Sequence, residues 1–274
     1  MDANLISILL GSFTGIVLAL TGAGGTIIAV PLLMFSLDLT VAQAAPIGLL
    51  AVGLSAAISA LLAFRQKRVR YRAASFIALI GALTSPAGIW LAQHLPNISL
   101  TLLFAGVLIF VAQHMFRQSM HEGKNAMSIQ HSASPCQVDK ASGRLIWTMP
   151  CFRALALSGT TAGFLSGLLG VGGGFVIVPA LRKITNLPIL SIMATSLAIT
   201  ALIATTGVIS AIAIGAMQWS MALFFCTGTI AGMLLGRIFA ERLAGPRLQQ
   251  GFATLAGGIA LAMIAKVIWI TSLT

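Results

Sequence analysis

Gly22-Ala23-Gly24-Gly25-Thr26-Ile27-Ile28-Ala29-Val30-Pro31 and Gly170-Val171-Gly172-Gly173-Gly174-Phe175-Val176-Ile177-Val178-Pro179 are two versions of one phrase, 148 positions apart. At that offset the match runs without a gap from about Gly11–Phe116 onto Gly159–Ile264. Gly11 and Gly15 fall on Gly159 and Gly163, and Gly88, Leu95, Leu100 and Phe104 fall on Gly236, Leu243, Leu248 and Phe252. Apolar segments resemble one another by chance at Leu and Ala, but not at Gly and Pro in a fixed register, so the chain is an internal duplication.

Each glycine phrase interrupts a long apolar segment. Of the 274 residues, 58% are hydrophobic and 8% charged, against about 25% charged in soluble domains. Mean hydropathy is +1.01. Stretches long enough to cross a hydrocarbon core, each about 20 residues, recur from Leu5 to Ile270. The sequence therefore predicts an all-α polytopic membrane protein. Each half is a Gly-broken segment (Leu5 to about Met34; Phe152 to about Leu181) followed by three helices, about eight membrane segments in all. The three fall near Ala42–Phe64, Ala73–His94 and Leu100–Phe116, then near Ile189–Ile214, Met221–Ala240 and Leu248–Ile270. Residues 1–116 form the first membrane repeat, 117–151 a polar cytoplasmic linker, and 152–274 the second repeat. No Lys or Arg precedes the first apolar run, so it reads as mature structure rather than a secretory signal.

The formal charge of +11 sits in loops between apolar spans, which points to cytoplasmic loops rather than to nucleic acid. Equivalent loops carry opposite biases. Arg65, Lys67, Arg68, Arg70 and Arg72 crowd one loop, and its counterpart Ala213 to Ser220 has no Lys or Arg. Conversely, Arg182, Lys183, Arg237, Arg242 and Arg247 lie in loops whose first-half counterparts have none. Basic loops facing the cytoplasm then make the two repeats inverted, with both termini periplasmic. Lys266, late in the last helix, fits this pattern less well. Arg153 and Arg182 fall on one side, so the chain between them must enter and return, as a re-entrant hairpin or a discontinuous helix pair. Inverted repeats with broken helices characterise many secondary transporters.

Glycine frees the backbone for positive φ and leaves no side chain between amides and a ligand. The short helix that begins after each break offers amide groups and a positive dipole end, which favour an anion. The same glycines could instead serve close helix packing, the better reading for Gly11/Gly15, Gly159/Gly163 and Gly228/Gly232/Gly236 at spacing four. Neither phrase is a nucleotide motif: no Lys-Ser or Lys-Thr follows, and a G-x-G-x-x-G reading ends on Ile27 or Phe175.

The paired G-x-G-G-x-x-x-x-x-P segments, Gly22 to Pro31 and Gly170 to Pro179, together with Ala194-Thr195-Ser196-Leu197, resemble the sulfite exporter TauE/SafE family over nearly the whole chain. The resemblance implies a permease of the bacterial inner membrane moving sulfite, an organosulfonate or another small anion. The first half departs from the pattern, with Thr26 in place of Gly174 and Pro46-Ile47-Gly48-Leu49 in place of Ala194-Thr195-Ser196-Leu197. An asymmetric site is expected, the second half supplying more hydrogen bonds. Candidate substrate-binding residues are Thr21, Gly22, Gly24, Gly25, Thr26, Gln43, Gly170, Gly172, Gly173, Gly174, Thr195 and Ser196.

Among titratable groups, Asp38, Glu241, His94 and His114 read as boundary residues rather than proton carriers. Facilitated diffusion is then the expected mechanism, since a negative-inside potential drives anions outward by about 2.3 kcal/mol per charge per 100 mV. With only four His and five carboxylates, an enzyme is disfavoured, no cofactor or metal is implied, and the second reading is a non-transporting membrane sensor or assembly partner. Cys136, Cys151 and Cys226 have no C-x-x-C spacing and indicate no disulfide framework. The expected partners are a small anionic substrate and the bilayer, with a homo-oligomer compatible.

Overall fold

The structure, a computed structural model, describes residues 3–22, 25–66, 69–122, 136, 148–185, 187–243 and 246–273. Among them the fold is all-helical: α1 (Ala3–Thr21), α2 (Gly25–Ser36), α3 (Val41–Arg65), α4 (Tyr71–His94), α5 (Asn97–Glu122), α6 (Met149–Leu169), α7 (Gly174–Ile184), α8 (Ile189–Ala213), α9 (Trp219–Leu243) and α10 (Pro246–Leu273). Seven of these, α1, α3, α4, α5, α8, α9 and α10, are long and apolar enough to cross a membrane. The expectation was about eight segments. The missing one is α6, whose 21 residues include Ser158, Thr160, Thr161 and Ser166. A helix that packs deeply against a neighbour can carry such residues, because its hydroxyls bond the carbonyls of the preceding turn, as Thr160 does with Ala156. Leu83, Phe110, Leu157 and Trp269 stand exposed, as the lipid face of a bundle requires. Tyr71, Trp90, Trp219 and Trp269 are exposed close to helix ends, the usual level of the membrane interface.

Four helix pairs make the main interfaces: α1 with α9, α4 with α6, α5 with α10 and α3 with α8. Under the 148-residue offset, α1 corresponds to α6 and α4 to α9. The first helix of each half therefore packs on the third long helix of the other half. Glycine sets both interfaces. A Cβ at Gly232 would collide with the Ser12 carbonyl, and one at Gly15 would lie 2.7 Å from the Met233 amide. A Cβ at Gly163 would collide with the Gly81 carbonyl, and one at Gly88 would lie 2.8 Å from the Leu168 amide. The packing reading of Gly15, Gly163 and Gly232 holds, and Gly88 joins them. Contacts climb together along each pair: Ile8, Ser12 and Ile16 meet Gly228, Gly232 and Gly236, so α1 and α9 run parallel, as do α4 and α6. By contrast, Gly53 meets Ala204 while Leu49 meets Gly207, so α3 and α8 run antiparallel.

Both short helices run past an internal proline and end close to the Met34 and Leu181 expected from the sequence, at Ser36 and Ile184. Pro31 lies inside α2 and Pro179 inside α7; a buried helix tolerates the lost backbone bond where neighbours re-satisfy the freed carbonyl. Lys266, the charge that fitted the loop pattern poorly, pairs with Asp38 at 3.3 Å and lies 5.4 Å from the Phe35 ring centroid. This links the late part of α10 to the loop after α2.

The sulfur chemistry differs from the sequence expectation. Cys136 and Cys151 form a disulfide, both residues buried. Their separation of 15 residues carries no motif; the partnership is tertiary. The Cys136 amide donates to the Ile184 carbonyl at 3.1 Å, which holds this linker residue against the end of α7 beside the start of α6.

Candidate functional site

Each glycine break ends one helix and begins another that doubles back. Gly22 has φ +72° and donates its amide to the Leu18 carbonyl at 2.9 Å. A Cβ on Gly25 would lie 2.7 Å from the Leu18 Cα, so α2 starts in contact with the last turn of α1. In the second half, Gly170, Gly172 and Gly173 have φ of +72°, +64° and +69°. This left-handed region is open to glycine at little cost. Gly170 donates to the Ser166 carbonyl at 2.9 Å and closes α6, whereas Gly173 is the N-cap of α7 and abuts Ala162.

The breaks do not meet in one cradle. Gly22 packs against Met193, near the start of α8, and Gly170 packs against Ala45, near the start of α3. Because α3 and α8 are antiparallel, the two breaks occupy opposite ends of that pair. Each thus rests on the other half of the chain.

The side chains around the two breaks differ. Ser196 is fully buried, and its hydroxyl crosses from α8 to the carbonyl of Gly174, the first residue of α7, at 3.4 Å. Thr195 donates to the Ser191 carbonyl at 2.6 Å and accepts from the Arg70 amide at 3.2 Å, tying the α3–α4 loop to α8. In the first half, Gly48 stands where Ser196 does; the nearest atoms to a Cβ there are those of Val30 and Ala29 of α2, at 3.4 and 3.7 Å, and the Gly170 carbonyl at 3.9 Å. Thr21 donates to the Val17 carbonyl at 2.7 Å. Gln43, exposed at the start of α3, accepts from the Thr40 amide at 3.1 Å in a capping box. Gly24 and the Thr26 side chain lie outside the described residues.

The structure adds polar groups that the sequence reading passed over. The hydroxyls of Ser55, Ser85, Ser166 and Thr200 are buried without a hydrogen-bond partner. Thr200 lies four residues after Ser196 on the same face of α8. That spacing was the signal in the sequence, masked because most hydroxyls in apolar helices bond their own backbone. An unsatisfied buried hydroxyl costs about 1–3 kcal/mol, which calls for a ligand or water at some stage of the protein's work. Beside the Gly170–Ala45 contact is a cavity of about 110 Å³, bounded by Ala45, Leu49, Gly167 and Gly207 with Gln93 as a polar wall. Gly170 to Phe175 are themselves buried, so the second break is closed to bulk water in this conformation.

An all-helical bundle with apolar outer faces, duplicated glycine breaks and buried hydroxyls beside them has the features of a membrane transporter. The comparisons agree and narrow the class: the description "Sulfite exporter TauE/SafE" matches residues 7–263, and the chain belongs to that family. A "Probable membrane transporter protein" of Xylella fastidiosa (strain 9a5c) is 30% identical over 276 residues, covering 98% of this chain and 96% of that protein. The "Probable membrane transporter protein YunE" of Bacillus subtilis is 26% identical, covering 87% of this chain and 89% of its own. A similarly described protein of Methanocaldococcus jannaschii is also 26% identical, covering 94% of each chain. No solved structure matches the chain.

Proposed function

We propose that this transporter moves a small anion, sulfite or another sulfur-containing or organosulfonate anion, outward across a bacterial plasma membrane. The observation that carries the reading is the buried junction of Ser196 with Gly174, with the unpartnered Thr200 hydroxyl one turn further along α8. Hydroxyl and amide donors suit an oxyanion, and no fixed cation is needed to hold it, which keeps release easy. The closed break corresponds to an occluded state. Access to it requires the α6–α7 hairpin to shift against α8, and the bond that must give way is the long one from Ser196.

Flux into and out of liposomes holding the purified protein tests this directly, across sulfite, thiosulfate, sulfonates, sulfate and small carboxylates. The sulfur oxyanions are expected to move fastest, and an imposed potential should accelerate efflux of a charged substrate. Ser196→Ala and Thr200→Val, which remove hydroxyls while preserving bulk, should each lower flux about tenfold, equivalent to ~1.4 kcal/mol, with normal amounts of protein. Unchanged flux in both variants, or a carrier indifferent to all these anions, would sink the reading. A sensor or assembly partner, the second reading, predicts no flux at all.

We further propose that the repeats are inverted, with basic loops cytoplasmic and both termini periplasmic. Antiparallel α3 and α8, equivalent elements packed on each other, support a two-fold relation perpendicular to the helices, and the exchanged α1–α9 and α6–α4 pairs fit the same relation. Cys136 and Cys151 then lie at the cytoplasmic end with Arg153 and Lys183, where thiols are kept reduced. Acid-quenched cells should yield both cysteines as free thiols, open to alkylation after denaturation, and the bridge should form in oxidising buffer. A disulfide already present in the quenched cells would reverse the orientation.

A further inference from the structure

A second cavity lies away from Ser196 and Thr200, neither of which lines it. It is a groove of about 680 Å³ between α5 and the α6–α7 hairpin, within the ~300–1,000 Å³ typical of ligand sites. Its walls are almost wholly apolar. Phe110, 69% exposed, opens it sideways toward lipid, and a Cβ added at Gly106 on its floor would meet nothing within 4 Å. Charge enters at one end, where His114 and Lys183 line it, both exposed; the third polar lining residue, Thr161, donates its hydroxyl to the Leu157 carbonyl at 2.9 Å. The opposite wall is Phe175 and Val176, the residues that follow Gly174 out of the second break.

We propose that this groove is a binding site for an anionic phospholipid, with an acyl chain along α5 and α7 and the headgroup phosphate at Lys183 and His114. Charge complementarity selects the occupant. Lys183 belongs to the basic end of the bundle with Arg65, Arg72, Arg117 and Arg153, and basic pockets between membrane helices at such an end favour anionic headgroups. The apolar length of the groove suits a chain rather than a soluble anion, which would gain nothing from Leu103, Phe110 or Leu165. The bound chain lies directly against the first turn of α7. It therefore braces the hairpin whose movement opens the second break, and lipid composition becomes a control on the protein that is separate from substrate recognition.

The test uses the full-length protein in neutral detergent with added phosphatidylglycerol or phosphatidylcholine, read by native mass spectrometry and by thermal unfolding. Phosphatidylglycerol should be retained at least fivefold over phosphatidylcholine and should raise the unfolding temperature. Gly106→Leu, whose Cβ would meet nothing within 4 Å and whose side chain would enter the groove, should cut phosphatidylglycerol retention at least fivefold. Lys183→Gln should erase the preference for phosphatidylglycerol while leaving total lipid retention unchanged. Equal retention of the two lipids by the wild type, or full phosphatidylglycerol retention by Gly106→Leu, overturns the proposal. So does a lipid-free dimer that Gly106→Leu converts to monomers, since the groove would then be an interface between copies. None of these measurements depends on transport, so a failure here is distinct from a wrong substrate.

Discussion

Gly232→Val is expected to remove nearly all folded protein from the membrane, a loss of more than tenfold by fluorescence-detected size exclusion of a tagged chain. The Cβ would collide with the Ser12 carbonyl and lie 2.6 Å from its carbon, and these are backbone atoms of α1 that no rotamer change can move away. Forcing even one extra carbon into a packed interior costs about 1–3 kcal/mol, and here α1 and α9 would have to separate along their length. Gly163→Val should do the same to the α4–α6 pair, where the obstacle is Gly81 backbone. Gly251→Val and Gly258→Val provide the contrast, because a Cβ at either position meets nothing within 4 Å. Their protein levels should match wild type. If Gly232→Val accumulates normally, the close pairing of α1 with α9 is wrong.

The second large effect is at the break itself, where two substitutions at Gly172 separate backbone conformation from side-chain bulk. Gly172 has φ +64°, a conformation that asparagine adopts readily and a β-branched residue does not. Gly172→Val should therefore fail to assemble. Gly172→Asn, which tolerates the dihedral, should insert and fold in near-normal amounts yet lose flux by tenfold or more, because a side chain would stand between the amides of the break and an anion. Normal flux in the asparagine variant would show that only the dihedral angle matters there, and the break would return to a purely architectural role.

The contrast between glycines that hold helices together and glycines that turn the chain was legible in the sequence, since the former recur every four residues inside apolar runs and the latter cluster before a short apolar stretch. The duplicated register gave the helices to within a few residues, because a membrane span must be apolar for a set length and loops between spans are short. Which helix packs on which was not legible. Gly11 and Gly15 announce a close neighbour but do not say that it is α9, and nothing local identifies Ala45 and Met193 as the seats of the two breaks. The Cys136–Cys151 bridge was hidden for the same reason: it depends on Cys136 lying along Thr185, a meeting of segments remote in the chain. Around the breaks, the sequence marks hydroxyl-bearing residues but not what each hydroxyl bonds. Thr195 and Ser196 were both legible as hydroxyls, but only the structure separates Ser196, which reaches α7, from Thr195, which bonds its own helix and the Arg70 amide. Gln43 had a polar side chain in the right alignment, and a helix start claimed it.

The exchange of first helices between the halves makes the two copies interlocked. Neither copy, released from the other, retains the main partner of its leading helix: the first would expose Gly11 and Gly15 to lipid, and the second would do so with Gly159 and Gly163. With the inverted orientation proposed above, an ancestor encoding only one copy would work as a pair of chains inserted in both senses, each lending its entry helix to its mate. Cutting the present polypeptide in the linker and supplying both pieces in one cell recreates that ancestral arrangement, and the pieces should be recovered together or not at all.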